Sequence, residues 1–412
     1  MRSNRLLASA VIVLSVAVAA GTTAGATASA QPVPATAATP TAVDAVDAVP
    51  DGKAAGALTG DRAVVVIEGG GGPHAYTTPW DACDSGRPKY AQAMLDAGLP
   101  VFTAPGYGNT YTSTAGEQGC PPQPPTEVQW HTSGYPTQAG EAVLGFLGFL
   151  NATYGYRTFD LVGYSYGGLV ARATVAALKQ QPAAGSLAPA FSYARAAADA
   201  GVTIPSIVTI NTPHLGSPAY DIAADPGVYL RPVTKAWGRQ FANSSKDLIV
   251  FQRAEGAGSI HVLETSAHAK RNPRSWDARQ VGVLDGVALT LLAGDYCGRT
   301  CGDDRATSTA KAALRTDGTV PVYSQLMLPC PKACPSPPGA VYIPPGLLPA
   351  EGVVRKTFPT VHSTFVTKGL GLPDVVSVSR NPAAIAYLVG TIQSRWQAEG
   401  VPLLPGGAAA AP

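Results

Sequence analysis

Six short apolar runs rich in β-branched residues recur along the chain, at 63–68, 101–106, 159–164, 206–212, 287–293 and 353–358. Their hydrophobicity is nearly continuous and does not alternate, which is the pattern of strands covered on both faces and predicts a parallel sheet layered by helices. The stretches between them read as helices. One is predicted over 88–97 and another over 137–154, where Ala142, Phe146, Phe149 and Tyr154 recur at near-helical spacing. Asn381-Pro382 opens a last helix, with Asn as cap and Pro in the first turn. The interval 218–282 is too long for a bare strand–helix unit. Within it Leu230, Val233, Trp237 and Phe241 form an apolar stripe that either packs on the body or closes over a substrate as a lid.

The two ends differ from this pattern. Arg2 and Arg5 precede an apolar run from Leu6 to Ala20, and Ala28-Ser29-Ala30 supplies an A-x-A cleavage site, so residues 1–30 read as a secretory signal peptide. The run of about 15 apolar residues is short of the roughly 20 that a membrane-spanning helix needs. Residues 31–60 are rich in Ala, Pro and Thr and read as a linker or propeptide, and 403–412 as a flexible tail. Residues 61–402 remain for one large domain, a size that the 46% hydrophobic content of the 412-residue chain supports.

Charge narrows the partners. Only 14% of residues are charged and the net charge is +2, which gives no electrostatic basis for a nucleic-acid partner. The six cysteines, Cys83, Cys120, Cys297, Cys301, Cys330 and Cys334, are an even count, which in an exported chain favours disulfides. Pairing of nearest neighbours (83 with 120, 297 with 301, 330 with 334) is the simplest connectivity. The C-x-x-x-C spacing of the last two pairs leaves zinc as the competing idea.

Two glycine-rich stretches carry candidate chemistry. "VVVIEGGGGPHAY" places Gly69 to Gly72 at the end of the first strand, without the Lys-Ser/Thr of a phosphate loop and without G-x-G-x-x-G. "LVGYSYGGLVARA" places Gly163, Ser165 and Gly167 in G-x-S-x-G where the third strand turns into a helix. Glycines two before and two after the serine permit a turn sharp enough to hold it out over the sheet edge. The helix behind it aims free N–H groups and a positive dipole end at the serine.

With these residues the chain resembles the α/β-hydrolase family, and "FDLVGYSYGGLVAR" is most similar to its secreted bacterial lipases and esterases. "INTPHLGSP" is similar to the turn after the next strand of those lipases, and "TDGTVPVYS" to their acid-bearing segment. The resemblance extends over about 61–400. It implies an α/β-hydrolase fold, with a mostly parallel central sheet, helices on both faces and an inserted cap.

A serine hydroxyl needs a histidine base, and the base needs a carboxylate to fix its tautomer. In the resembled family both follow the serine, acid first. The acid is expected at Asp317, with Asp295 as the alternative and Asp303 and Asp304 as solvated loop residues. The base is expected at His362, the one histidine after Asp317. His74, His131, His214, His261 and His268 read as surface or turn residues. The oxyanion hole is expected from the N–H of Tyr166 and, on the resemblance, that of Gly70. Where the lipases commonly have His-Gly, this chain has Glu68-Gly69, so Glu68 either is neutralised by hydrogen bonds or points away.

The expectation is a secreted, monomeric serine hydrolase of carboxylic esters that needs no cofactor and makes transient contact with a lipid–water interface. An acyltransferase on the same triad is the alternative, followed by an inactive hydrolase fold that serves as a binding protein.

Overall fold

The computed structural model describes residues 60–70, 76–79, 87–106, 123–132, 134–180, 190–217, 276–296, 315–329, 343–363 and 376–404. All of them lie in one compact unit, Asp51–Pro412. The signal-peptide and linker readings, all six cysteines, His74, His261, His268, Asp303, Asp304 and the stripe from Leu230 to Phe241 fall outside the described residues.

Six strands are described: β1 (Arg62–Ile67), β2 (Val101–Thr103), β3 (Thr158–Tyr164), β4 (Thr203–Ile210), β5 (Ala288–Gly294) and β6 (Val353–Phe358). They form one sheet in the order β2-β1-β3-β4-β5-β6, with every pairing parallel. Because β1 reads RAVVVI, its successive side chains enter opposite cores. Ala63, Val65 and Ile67 pack with α2 (Pro136–Tyr154), α3 (Tyr166–Gln180) and α4 (Ala190–Asp199). Val64 and Val66 pack with α1 (Lys89–Asp96) and the helix Pro382–Ala398. Each buried Val or Ile contributes roughly 1.5–3 kcal/mol, so the inner strands, covered on both faces, contribute strongly to stability, while the edge strand β6 is largely exposed.

The element boundaries have local causes. β4 starts at Thr203, three residues before the sequence pattern suggested, because the register shifts between Thr158 and Asp160 and takes up Pro205, which has no N–H for the ladder. β2 stops at Thr103, ahead of Pro105, and Gly106 makes only an isolated bridge to Trp130. Asn381 caps the last helix by accepting the Ala384 N–H at 3.0 Å.

At the N-terminal edge of the sheet a buried ionic knot joins β1, β3, β4 and the last helix. Asp160 accepts from Arg62 Nε at 2.8 Å, from Arg62 Nη2 at 3.0 Å and from Trp396 Nε1 at 2.6 Å. The Ser206 hydroxyl also donates to it, and Glu399 pairs with the other Arg62 nitrogen. The C-terminal edge of the sheet is left to the site described next.

Candidate active site

The turn after β3 is tight. Ser165 has φ of +51°, a left-handed conformation that is costly for a residue with a side chain. It is held there by its N–H, which donates to Ile210 O at 2.7 Å. A Cβ on Gly163 would stand 2.5 Å from Gly168 Cα, and one on Gly167 would run into the Ile67 carbonyl, so neither position has room for a side chain. The outcome is a partly exposed hydroxyl at the start of α3.

Loops from the ends of two other strands converge on it. Ser165 Oγ lies 2.8 Å from His362 Nε2, and His362 Nδ1 lies 2.7 Å from Asp317 Oδ2. Asp317 is fully buried and His362 is 8% exposed. Asp317 Oδ1 accepts the N–H groups of Thr319 at 2.9 Å and Val320 at 2.7 Å, and the Asp317 carbonyl accepts the His362 N–H at 2.8 Å. Both carboxylate oxygens are thus committed, one to the backbone of its own loop and one to the imidazole. With Nδ1–H donating to Asp317, Nε2 is left to accept the Ser165 proton. From below, the Tyr164 ring lies 5.7 Å from the His362 ring, and its hydroxyl donates to the His362 carbonyl. Burial pushes the Tyr164 phenol upward, so it stays a donor.

Asp295, the alternative acid, is engaged elsewhere. It follows β5 directly, but its carboxylate is paired with Arg315, whose Nε donates at 2.8 Å.

The loop after β1 crosses the first turn of α3. A Cβ on Gly69 would stand 3.0 Å from Ser165 Cβ. One on Gly70 would stand 3.3 Å from Tyr166 Cβ and 2.9 Å from the Thr132 carbonyl oxygen. Gly70 and Tyr166 are therefore neighbours beside the serine. Glu68 turns aside, and its carboxyl accepts the Tyr90 hydroxyl from α1 at 2.6 Å. Burial raises the Glu68 carboxyl above the usual carboxylate range, against the hydrogen bonds from Tyr90 and the Gly69 N–H that pull it down.

His214 corrects the sequence reading. It lies in a turn, as read, but it is buried and not on the surface, with Nε2 3.0 Å from Thr209 Oγ1 and Nδ1 3.4 Å from Arg172 Nη1. Burial, with the Arg172 charge added, holds it well below the ordinary histidine value. Arg172 is itself buried on α3, stacks 4.6 Å over Trp276 and faces Asp277 at 3.7 Å, and burial pulls it down to about 10. His131 lies half-buried in the turn before α2, next to Thr132.

Sequence reasoning did not find the groups that support this constellation. The Tyr166 side chain, beyond the backbone role read for it, donates its hydroxyl to Gly134 O, and Asn211 after β4 and Ser324 and Gln325 in the short helix Val322–Gln325 are buried and hydrogen-bonded. These are polar residues without periodicity, and only the burial of such residues would have marked them.

The family described as "Putative serine esterase (DUF676)" matches residues 140–250, from α2 through the serine turn and beyond. No curated protein sequence matches the chain. Among solved structures, the chain is similar to the mature Bacillus licheniformis lipase BlEst2, at 14% identity over 76% of this chain and 89% of that one, with a TM-score of 0.35. It is also similar to lipase 1 from Pelosinus fermentans, at 12% identity over 82% and 99% with a TM-score of 0.39. A Listeria innocua gene product matches at 13% identity over 81% and 94%, with a TM-score of 0.37. The parallel sheet order, the helices on both faces and the serine turn at the end of β3 define an α/β-hydrolase. With the esterase match lying on the segment that carries the serine, the chain is a serine hydrolase of carboxylic esters.

Proposed function

We propose that the protein is a secreted lipase or esterase working through an acyl-enzyme on Ser165, with His362 as base and Asp317 as its orienting acid. The observation that carries this reading is the unbroken line from Ser165 Oγ to His362 at 2.8 Å and on to the buried Asp317 carboxylate at 2.7 Å. In the first half-reaction the Ser165 oxygen bonds to the ester carbonyl carbon as its proton passes to His362 Nε2. The carbonyl oxygen takes up the negative charge between the N–H groups of Tyr166 and Gly70. His362 then gives the proton to the departing alkoxide. In the second half-reaction water attacks the acyl-enzyme, loses its proton to His362 and releases the acid as Ser165 regains its hydrogen.

The same geometry counts against an inert binding fold, in which no selection would keep three polar groups aligned. Hydrolysis and transfer separate on whether an added alcohol diverts the acyl group. Export from the cell follows from the signal-peptide reading of residues 1–30 and is tested by the N-terminus of protein recovered from culture medium. The decisive variant is Ser165→Ala. Its kcat should fall by about 10⁶, as for triad nucleophiles in general, and retained hydrolysis of an activated ester would refute the assignment.

A further inference from the structure

Segment 211–217, "NTPHLGS", supplies no group to the proposed reaction, yet every residue in it is buried and it touches both halves of the site. On one side it rests on α3. A Cβ at Gly168 would run into Thr212 Oγ1, and His214 is held between Arg172 of α3 and Thr209 of β4. One neutral tautomer satisfies both partners, with Arg172 donating to Nδ1 and Nε2–H donating to Thr209.

On the other side the segment grips the acid-bearing loop. The Leu215 N–H donates to Ser324 Oγ at 3.0 Å, and the Ser324 hydroxyl donates to Gly216 O at 2.6 Å. The Ser217 hydroxyl donates to Thr319 O, in the very turn whose N–H groups hold Asp317. At the head of the segment Asn211, with φ of +54°, accepts the Gly294 N–H at 2.8 Å. Gln325 shares that N–H at 2.9 Å and donates to Val320 O at 2.7 Å.

Resting on the Ser165–His362–Asp317 reading, the geometry points to segment 211–217 as a positioning brace that sets the Asp317 loop against the nucleophile helix, with Ser324 as its joint. Ser324 and Ser217 are positioning residues, since their hydroxyls bond the backbone of the brace and of the Asp317 loop. Asp317 reaches His362 from a loop that has no sheet pairing with β3, so its alignment with Ser165 depends on such bridging contacts. A misplacement near 1 Å is enough to cost about a hundredfold in rate.

The test compares wild type with Ser324→Ala and Ser217→Ala as full-length proteins. Active sites are counted by fluorophosphonate titration, kcat and KM are measured with p-nitrophenyl butyrate, and melting temperatures are measured on the same samples. Per titrated site, kcat should drop about ten- to a hundredfold with KM nearly unchanged. Lower melting temperatures with kcat per titrated site unmoved would overturn the brace. Where Ser324→Ala does not fold, Ser217→Ala, which gives up the bond to the Thr319 carbonyl, carries the same readouts. Wild-type protein that takes no label would overturn the hydrolase reading and the brace with it. A wild type that labels, beside variants that do not change, would overturn the brace alone.

Discussion

Replacing Asp317 by Asn exchanges one heavy atom and reverses the direction of the line to Ser165. Asp317 Oδ1 accepts two backbone N–H groups, from Thr319 and Val320. An Asn amide set the other way round would point its NH₂ at those two donors, so the carbonyl keeps that place and the NH₂ takes the place of Oδ2. That NH₂ then faces His362 Nδ1, now 2.7 Å from a carboxylate, and donates to it. Nδ1 becomes the acceptor, Nε2 carries the hydrogen, and the imidazole offers Ser165 a donor where the reaction needs a base. A wrong tautomer in intact geometry costs about 10⁴ in kcat in a Ser-His-Asp enzyme, equivalent to roughly 5.4 kcal/mol at 1.36 kcal/mol per decade. The assay is steady-state hydrolysis of p-nitrophenyl butyrate, run beside Asp295→Asn, whose carboxylate serves Arg315 and should change kcat less than about twofold, as a surface pair does. An Asp317→Asn enzyme that keeps a tenth or more of wild-type kcat, or an Asp295→Asn enzyme that falls by decades, would refute the assignment.

Further outcomes follow from the same contacts. Asp160→Ala leaves the buried Arg62 with only the half-exposed Glu399 and should cost about 3 kcal/mol in urea unfolding, with kcat of the folded fraction unchanged. Glu68→Gln should leave kcat unchanged across esters and pH, because the Glu68 carboxyl faces Tyr90 and not the reacting atoms. His214 is held neutral in the fold while it takes up a proton below about 6.5 once unfolded, so the unfolded chain binds more protons in acid. Stability should therefore fall as pH drops from 7 towards 5, and His214→Gln should flatten that slope in thermal melts. Gly167→Ala drives a methyl into the Ile67 carbonyl and should abolish soluble expression, whereas Gly390→Ala, where a Cβ would meet open space, should not.

Much of the fold was legible because its inner strands are buried on both faces and therefore read as apolar runs, whereas the edge strand β6, VVRKTF, is largely exposed. The serine turn was legible for a different reason: Gly163 and Gly167 are demanded by backbone approach, and steric demands of that kind leave a fixed spacing in the sequence. Asp317 and His362 were nameable only through resemblance, since nothing local to "TDGTV" or "TVHST" says that one loop will meet the other. The supporting groups were not legible. Arg172 and His214 bury polar atoms against one another across 42 residues of chain, and the Ser324 bonds to Leu215 and Gly216 span more than a hundred. Such pairs have no period and no propensity to betray them. Glu68 shows the converse, an acidic residue beside a site that gathers negative charge, explained only when Tyr90 of α1 proves to be its partner.

The central claim is that Ser165 is the nucleophile of an ester hydrolase. Its most direct measurement is peptide mass spectrometry of the purified protein after reaction with a fluorophosphonate, with esterase activity followed in the same samples. The account predicts a single phosphonyl adduct on Ser165 that accumulates in step with the loss of activity. An active enzyme that takes no adduct, or that is labelled at Ser165 and still hydrolyses esters, would contradict it.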